Sequence, residues 1–164
     1  MKNLIILITM VSSSAFANQV YDQVTEKQPV CYGREYGIDH LKSTPLQKVQ
    51  KIQVKLEKID KYNQNNLSVE VTLRGAKNEF INYRAGFVCN AANHCYIECD
   101  GGQAVVSINA DGKLVLENRN FVLAGGCGSD EKTVLLNATQ GGDDVFVMSK
   151  LPPEMCQTTN AYDL

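Results

Sequence analysis

The sequence predicts an all-β fold: an antiparallel meander of about eight strands that closes into a small barrel or a flattened barrel, stapled by disulfides. Three observations predict it. Short runs that alternate apolar and polar residues recur from Ile52 to Ser149 with Gly, Asn and Asp breaks between them, and no stretch carries a convincing helical period. Six cysteines, an even number, supply the staples.

The chain opens MKNLIILITMVSSSAFANQV, with Lys2, then the apolar run Leu4 to Val11, then small residues ending Ala15-Phe16-Ala17. That is the layout of a signal peptide over residues 1–17, cut after Ala17. The apolar run is shorter than the ~20 residues of a membrane span, so no span is expected once the leader is removed. An uncleaved interfacial helix would leave the small-residue cut site without a purpose. No cysteine follows the cut, so no lipid anchor is indicated. The mature protein is expected in the periplasm or the medium, with residues 18–30 as a mobile polar lead-in, a single domain over 31–158 and a tail at 159–164.

The leader removes one of 16 basic residues and none of 18 acidic ones, leaving a formal charge of about −3. Such a balance, with no basic block, argues against nucleic acid or an anionic membrane as partner. Lys48, Lys51, Lys55, Lys58 and Lys61 interleave with Ile52, Val54 and Leu56 and read as the solvated face of a strand.

Cys31 to Leu46 shows no clean repeat and reads as a loop with room for one short turn of helix. Alternation then begins. Ile52, Val54 and Leu56 share one face, and Leu67, Val69, Val71 and Leu73 share another after the turn KYNQNN. Ile81, Tyr83, Ala85, Phe87 and Cys89 follow on one face, then the loop NAANH and a strand through Cys95, Ile97 and Cys99. Asp100-Gly101-Gly102 is a hairpin turn, as is Asp111-Gly112, since Asp-Gly suits the φ > 0 positions of tight turns. The runs QAVVSIN, KLVLEN, FVLAG, TVLLN and DVFVMS complete the meander. Closure removes the exposed edges that so long a sheet would present. Whether the interior is hollow stays open.

Strand geometry prunes the cysteine pairings. In an extended strand Cys95 and Cys99 stand roughly 13 Å apart at about 3.3 Å per residue, beyond the ~7 Å reach of a disulfide. Cys89 and Cys95 flank a five-residue loop and face each other. Cys99 and Cys127 both sit beside glycines that permit close backbone approach. Cys31 is left with Cys156, which ties the two ends of the domain.

Other chemistries fit less well. Cys89, His94, Cys95 and Cys99 are zinc-type ligands in one segment, but the C-x-x-C knuckle is missing and one metal cannot take both ends of a straight strand. That absence also argues against a redox enzyme. Glu98 alternates away from the core and Asp100 belongs to a turn, which fits a solvated face better than acid/base catalysis. Asp130, Glu131, Asp143 and Asp144 match no calcium loop. His40 and His94 stand beside no nucleophile motif. No metal, cofactor or catalytic residue is therefore assigned.

With CYGREYGIDHL, CYIECDGGQ, GGCG and DDVFVMSKLP…C in view, the chain resembles small exported proteins of unknown function from Gram-negative bacteria, over about Cys31 to Cys156. The resemblance implies export and supplies no activity. Lipocalins share the barrel architecture, but their G-x-W motif is excluded by the lack of Trp. Small periplasmic lysozyme inhibitors share it too, without an inhibitor motif that maps onto this chain.

The expected function is that of a non-enzymatic binding protein, whose partner is an extracytoplasmic protein or a small molecule in the barrel mouth. The alternatives are an envelope-polymer hydrolase that uses paired carboxylates such as Glu98 and Asp100, and a structural envelope protein.

Overall fold

The computed structural model describes residues 20–25, 28–59, 64–74, 82–98, 101–123, 134–136 and 141–156. The leader, the 159–164 tail, Cys99, Asp100 and Cys127 lie outside these residues, and with them the Cys99–Cys127 pairing. The described strands are β1 Val30–Glu35, β2 Val49–Ile59, β3 Gln64–Leu73, β4 Asn82–Cys89, β5 His94–Tyr96, β6 Gln103–Ile108, β7 Leu114–Arg119, β8 Phe121–Leu123, β9 Val134–Leu136 and β10 Val145–Lys150, with helix α1 Ile38–Ser43.

Eight of these strands form a closed antiparallel barrel in the order β1-β10-β7-β6-β5-β4-β3-β2, so the predicted fold class holds. The longest ladder joins β2 to β3, from Val49 opposite Leu73 to Ile59 opposite Gln64. It forms because β-branched and aliphatic residues recur every second position and point inward together. Val49 and Ile52 both lie fully buried although they are three apart. A register shift between Val49 and Lys51 makes this possible, since a bulge inserts one residue and reverses the phase.

The interior is filled. Ile52, Leu56, Leu67, Phe87, Leu114, Leu116, Phe146 and Met148 are all 0% exposed and belong to one continuous core. At the outer face, Lys55 pairs with Glu57 at 2.7 Å and Arg84 with Glu70 at 3.5 Å. The Lys55 side chain is only 12% exposed, so this lysine is folded onto the sheet rather than solvated as expected. Lys55 stands opposite Ser68, which in turn stands opposite Gly86, and these small neighbours leave room for its aliphatic stem along the sheet.

Residues 18–30 are not a mobile lead-in where they are described. Val20–Gln23 forms a 3-10 turn, and Val20, Tyr21 and Val24 are 0%, 3% and 1% exposed. This segment plugs one end of the barrel, packing against β2 and β6 and reaching the start of β3 at Asn66 and the end of β4 at Cys89. The Tyr21 hydroxyl lies 3.1 Å from the Asn66 carbonyl oxygen, to which it donates, and 3.2 Å from Cys89 Sγ. Burial holds the Tyr21 phenol far above its ordinary pKa. The plug is invisible to periodicity because a four-residue turn shows neither a strand nor a helix repeat.

Two further departures have physical causes. The short helix for which Cys31 to Leu46 left room is α1, but the start of this segment is a strand rather than a loop: β1 starts at Val30, and Val30, Cys31, Tyr32 and Gly33 are all buried. Leu151 and Cys156 cover the outer face of β1, so both faces are apolar and no alternation marks the strand. Second, β8 and β9 pair with each other as a separate hairpin, and β7 bonds directly to β10. Phe121, Leu123 and Leu136 of this hairpin are fully buried, with Phe121 edge-on to Phe87 at 5.1 Å. Asn118, at the end of β7, secures the excursion: its Nδ2 donates to the carbonyls of Leu136 at 3.0 Å and Asp143 at 2.8 Å.

Two disulfides join Cys31 to Cys156 and Cys89 to Cys95. Among the described residues no helix is long and apolar enough to cross a membrane.

Candidate functional site

The cysteine-rich segment is built as structure. Cys89 and Cys95 are register partners across β4 and β5, with α-carbons 4.0 Å apart. Joined to each other, they have no thiolates to offer a metal, which removes two of the four zinc-type ligands. The strand stops early, at Tyr96, and the Ile97 amide bonds the Gly102 carbonyl at 3.0 Å. Gly102 has φ +96° and a Cβ there would run into the Asn120 carbonyl oxygen, so the turn requires glycine. Gly101 offers its own carbonyl to the Val122 amide at 2.8 Å, which ties this turn to β8. Glu98 is exposed. His94 is exposed at the start of β5, opposite Val105.

The opposite end of the barrel from the plug carries an open cleft of about 440 Å³, lined by Pro45, Leu46, Gln47, Lys48 and Arg74. Its floor is a polar network. Gln47 is 3% exposed; its Nε2 donates to the Val49 carbonyl at 2.8 Å and its Oε1 lies 2.9 Å from His40 Nε2. His40 stacks on Tyr36 with ring centroids 4.8 Å apart, and the Arg34 guanidinium sits 4.5 Å above the other ring's centre. Burial raises the Tyr36 phenol pKa; Arg34 opposes this, and the charge of Asp143 adds to it.

Asp143 is the clasp of this end. It is 4% exposed and accepts the amides of Lys48 at 2.7 Å and Val49 at 3.1 Å. Its carboxyl is pushed above the ordinary range, chiefly by burial, against the two amide bonds and Lys48, with Asp144 adding to the rise. Both oxygens are thus engaged by backbone, so the acid holds the rim and is not open to a calcium ion. Gly142, at φ +94°, lets the clasp approach: a Cβ there would stand 2.8 Å from that of Gln47. Among the described residues no group of three or more His, Cys, Asp or Glu could hold a metal.

Asp143→Asn is expected to cost roughly 1–3 kcal/mol at neutral pH, because the amide keeps one acceptor and leaves one buried N–H without a partner. A raised folded-state pKa means that Asp143 contributes stability fully present below its unfolded pKa, about 3.9, and lost as pH rises through the folded value. The stability gap between wild type and D143N in urea titrations should therefore narrow from acid to neutral pH. A gap that widens would contradict this assignment.

In the sequence nothing draws these residues together: Asp143 is one of four acids that match no calcium loop, His40 stands beside no nucleophile motif and Lys48 reads as part of a solvated strand face. The signal available was the three-residue spacing of Val49 and Ile52, which announces the bulge beside the cleft. No protein-family model, curated protein or solved structure matches the chain, so the functional reading rests on geometry.

Proposed function

We propose that the protein is an exported, non-enzymatic binding protein whose packed barrel carries its recognition surface at the rim around Leu46, Lys48 and Arg74. The observation that supports this most is the contrast between a filled interior and an open rim cleft whose polar floor is locked. Binding sites of this kind combine apolar walls with a few fixed polar groups on a rigid scaffold. Export is supported by the two disulfides, which persist in oxidising compartments, and by the leader-like residues 1–17. The acid and imidazole groups of this end are taken up in holding it together, which favours binding over catalysis.

The test is native mass spectrometry of mature protein recovered from periplasm and medium, beside a Leu46→Asp variant. Leu46 is 67% exposed, so the substitution is expected to change stability by less than about 0.5 kcal/mol. The expected result is a stoichiometric ligand or partner on the wild type that is lost from L46D. Hydrolysis of envelope polymer by the purified protein, unaffected by L46D, would overturn the reading.

A further inference from the structure

Lys48 and Arg74 stand opposite each other one step beyond the last pair of β2 and β3, where the Arg74 amide donates to the Lys48 carbonyl at 2.7 Å. Directly opposed residues of an antiparallel ladder hold their side chains on one face, and like charges so placed repel. The chain nonetheless puts two cations there in a protein of net charge −2. Among the described residues neither takes part in an ion pair. The acid beside them, Asp143, attracts Lys48 but forms no ion pair with it, because both its oxygens are on backbone amides.

The arginine is also held in place. Its Nη1 donates to the Leu41 carbonyl at 2.9 Å, which fixes the guanidinium plane and leaves further N–H groups of the fork for a ligand. Leu46, two-thirds exposed, and Pro45 supply an apolar wall beside the cations. A cleft of about 440 Å³ is within the range of small-molecule sites, which runs from about 300 to 1,000 Å³.

We propose that this cleft binds a carboxylate carried on a short branched aliphatic group, with the carboxylate across Arg74 and Lys48 and the aliphatic part against Leu46 and Pro45. A planar carboxylate matches the arginine fork in two parallel hydrogen bonds, and its charge removes the repulsion between the cations. The inference deepens the binding-protein reading and rests on it. The same chemistry occurs in a free acid and at a peptide C-terminus ending in leucine.

The test is an amide chemical-shift titration of the oxidised mature protein with 4-methylpentanoate, 4-methylpentanamide and the peptide Gly-Gly-Gly-Leu with a free carboxylate. Saturable shifts centred on residues 46–48 and 74 are expected with the acid, with at least tenfold weaker binding of the neutral amide. Arg74→Gln should weaken the acid at least tenfold while the protein stays folded, with only a small fall in melting temperature from the lost bond to the Leu41 carbonyl, and Arg74→Lys should recover part of the lost binding. Lys48→Gln, at an exposed strand end, provides a second variant with the same expected direction. Tighter binding of the peptide than of the acid would assign the source as a chain terminus, and the reverse would assign a free acid. The amide binding as tightly as the acid at these residues would overturn the carboxylate and leave the binding reading intact. No shifts at the cleft, or shifts indifferent to R74Q, would overturn the inference, while native capture judges the wider function separately.

Discussion

Replacing Cys31 and Cys156 together by Ser should lower stability by about 5 kcal/mol in the chain-entropy account, the larger of the two bridge effects. The bridge spans a sequence separation of 125 residues, against 6 for Cys89 and Cys95, whose loss should cost about 2 kcal/mol on the same basis. Its place in the barrel adds to the argument. The β1–β2 ladder has six register pairs, whereas the β1–β10 seam that closes the barrel has two, Tyr32 with Lys150 and Gly33 with Ser149. Beyond these, the Leu151 amide bonds the Cys31 carbonyl at 2.8 Å and Arg34 Nη1 reaches the Val147 carbonyl at 3.2 Å. The Cys89–Cys95 bridge also lies on a two-pair ladder, β4–β5, so what sets Cys31–Cys156 apart is that it ties the first strand of the barrel to the chain just beyond the last. Urea unfolding of the two double-serine variants checks the order, with the Cys31–Cys156 pair losing roughly 2–5 M of midpoint at a slope of about 1–3 kcal/mol per molar. Equal losses, or a larger one for the short loop, would contradict the seam account.

Tyr21→Ala is expected to destabilise the barrel by roughly 3–5 kcal/mol, the cost of truncating a buried aromatic ring. The prediction depends on residues that read as a mobile polar lead-in being part of the core. Tyr21 is 3% exposed between Val20 and Val24, and Gln23 Nε2 reaches the Tyr32 hydroxyl at 3.4 Å. Tyr21→Phe keeps the ring and removes only the hydroxyl, with its bond to the Asn66 carbonyl and its contact with Cys89 Sγ, so it should cost about 1 kcal/mol. Equilibrium unfolding of the mature protein separates the two. If Y21A unfolded at the wild-type midpoint, residues 20–24 would not be a plug.

The parts of this fold that were legible are those where one face meets water and the other meets the core. Strands β2 and β3 are the clearest case, because Ile52, Val54, Leu56, Leu67, Val69 and Val71 alternate with polar neighbours and register follows from the pleat. Cys89 and Cys95 were legible for a related reason: a five-residue loop between two strands makes its flanking residues partners. β1 was not, since Leu151 and the Cys156 bridge cover its outer face. The β8–β9 pair alternates like a barrel strand pair, and nothing local distinguishes a three-residue strand of the barrel from one that pairs outside it. The rim site was the least legible, because Lys48 and Arg74 meet at the end of the β2–β3 ladder and Asp143, far along the chain, joins them only in the folded barrel. The plug failed the same way: its partners, Asn66 and Cys89, lie far along the chain.

Methyl spectra of the isotopically labelled mature protein under xenon pressure test the central claim, a closed interior with recognition at the rim. Xenon enters apolar cavities of roughly 150 Å³ without regard to ligand chemistry, so it reports space rather than specificity. The account predicts no saturable shifts for the methyls of Ile52, Leu56, Leu67, Val69 and Leu116, all of which are at most 1% exposed in the continuous core. Saturable shifts at those interior methyls would show a hollow barrel and would move the binding site from the rim to the inside.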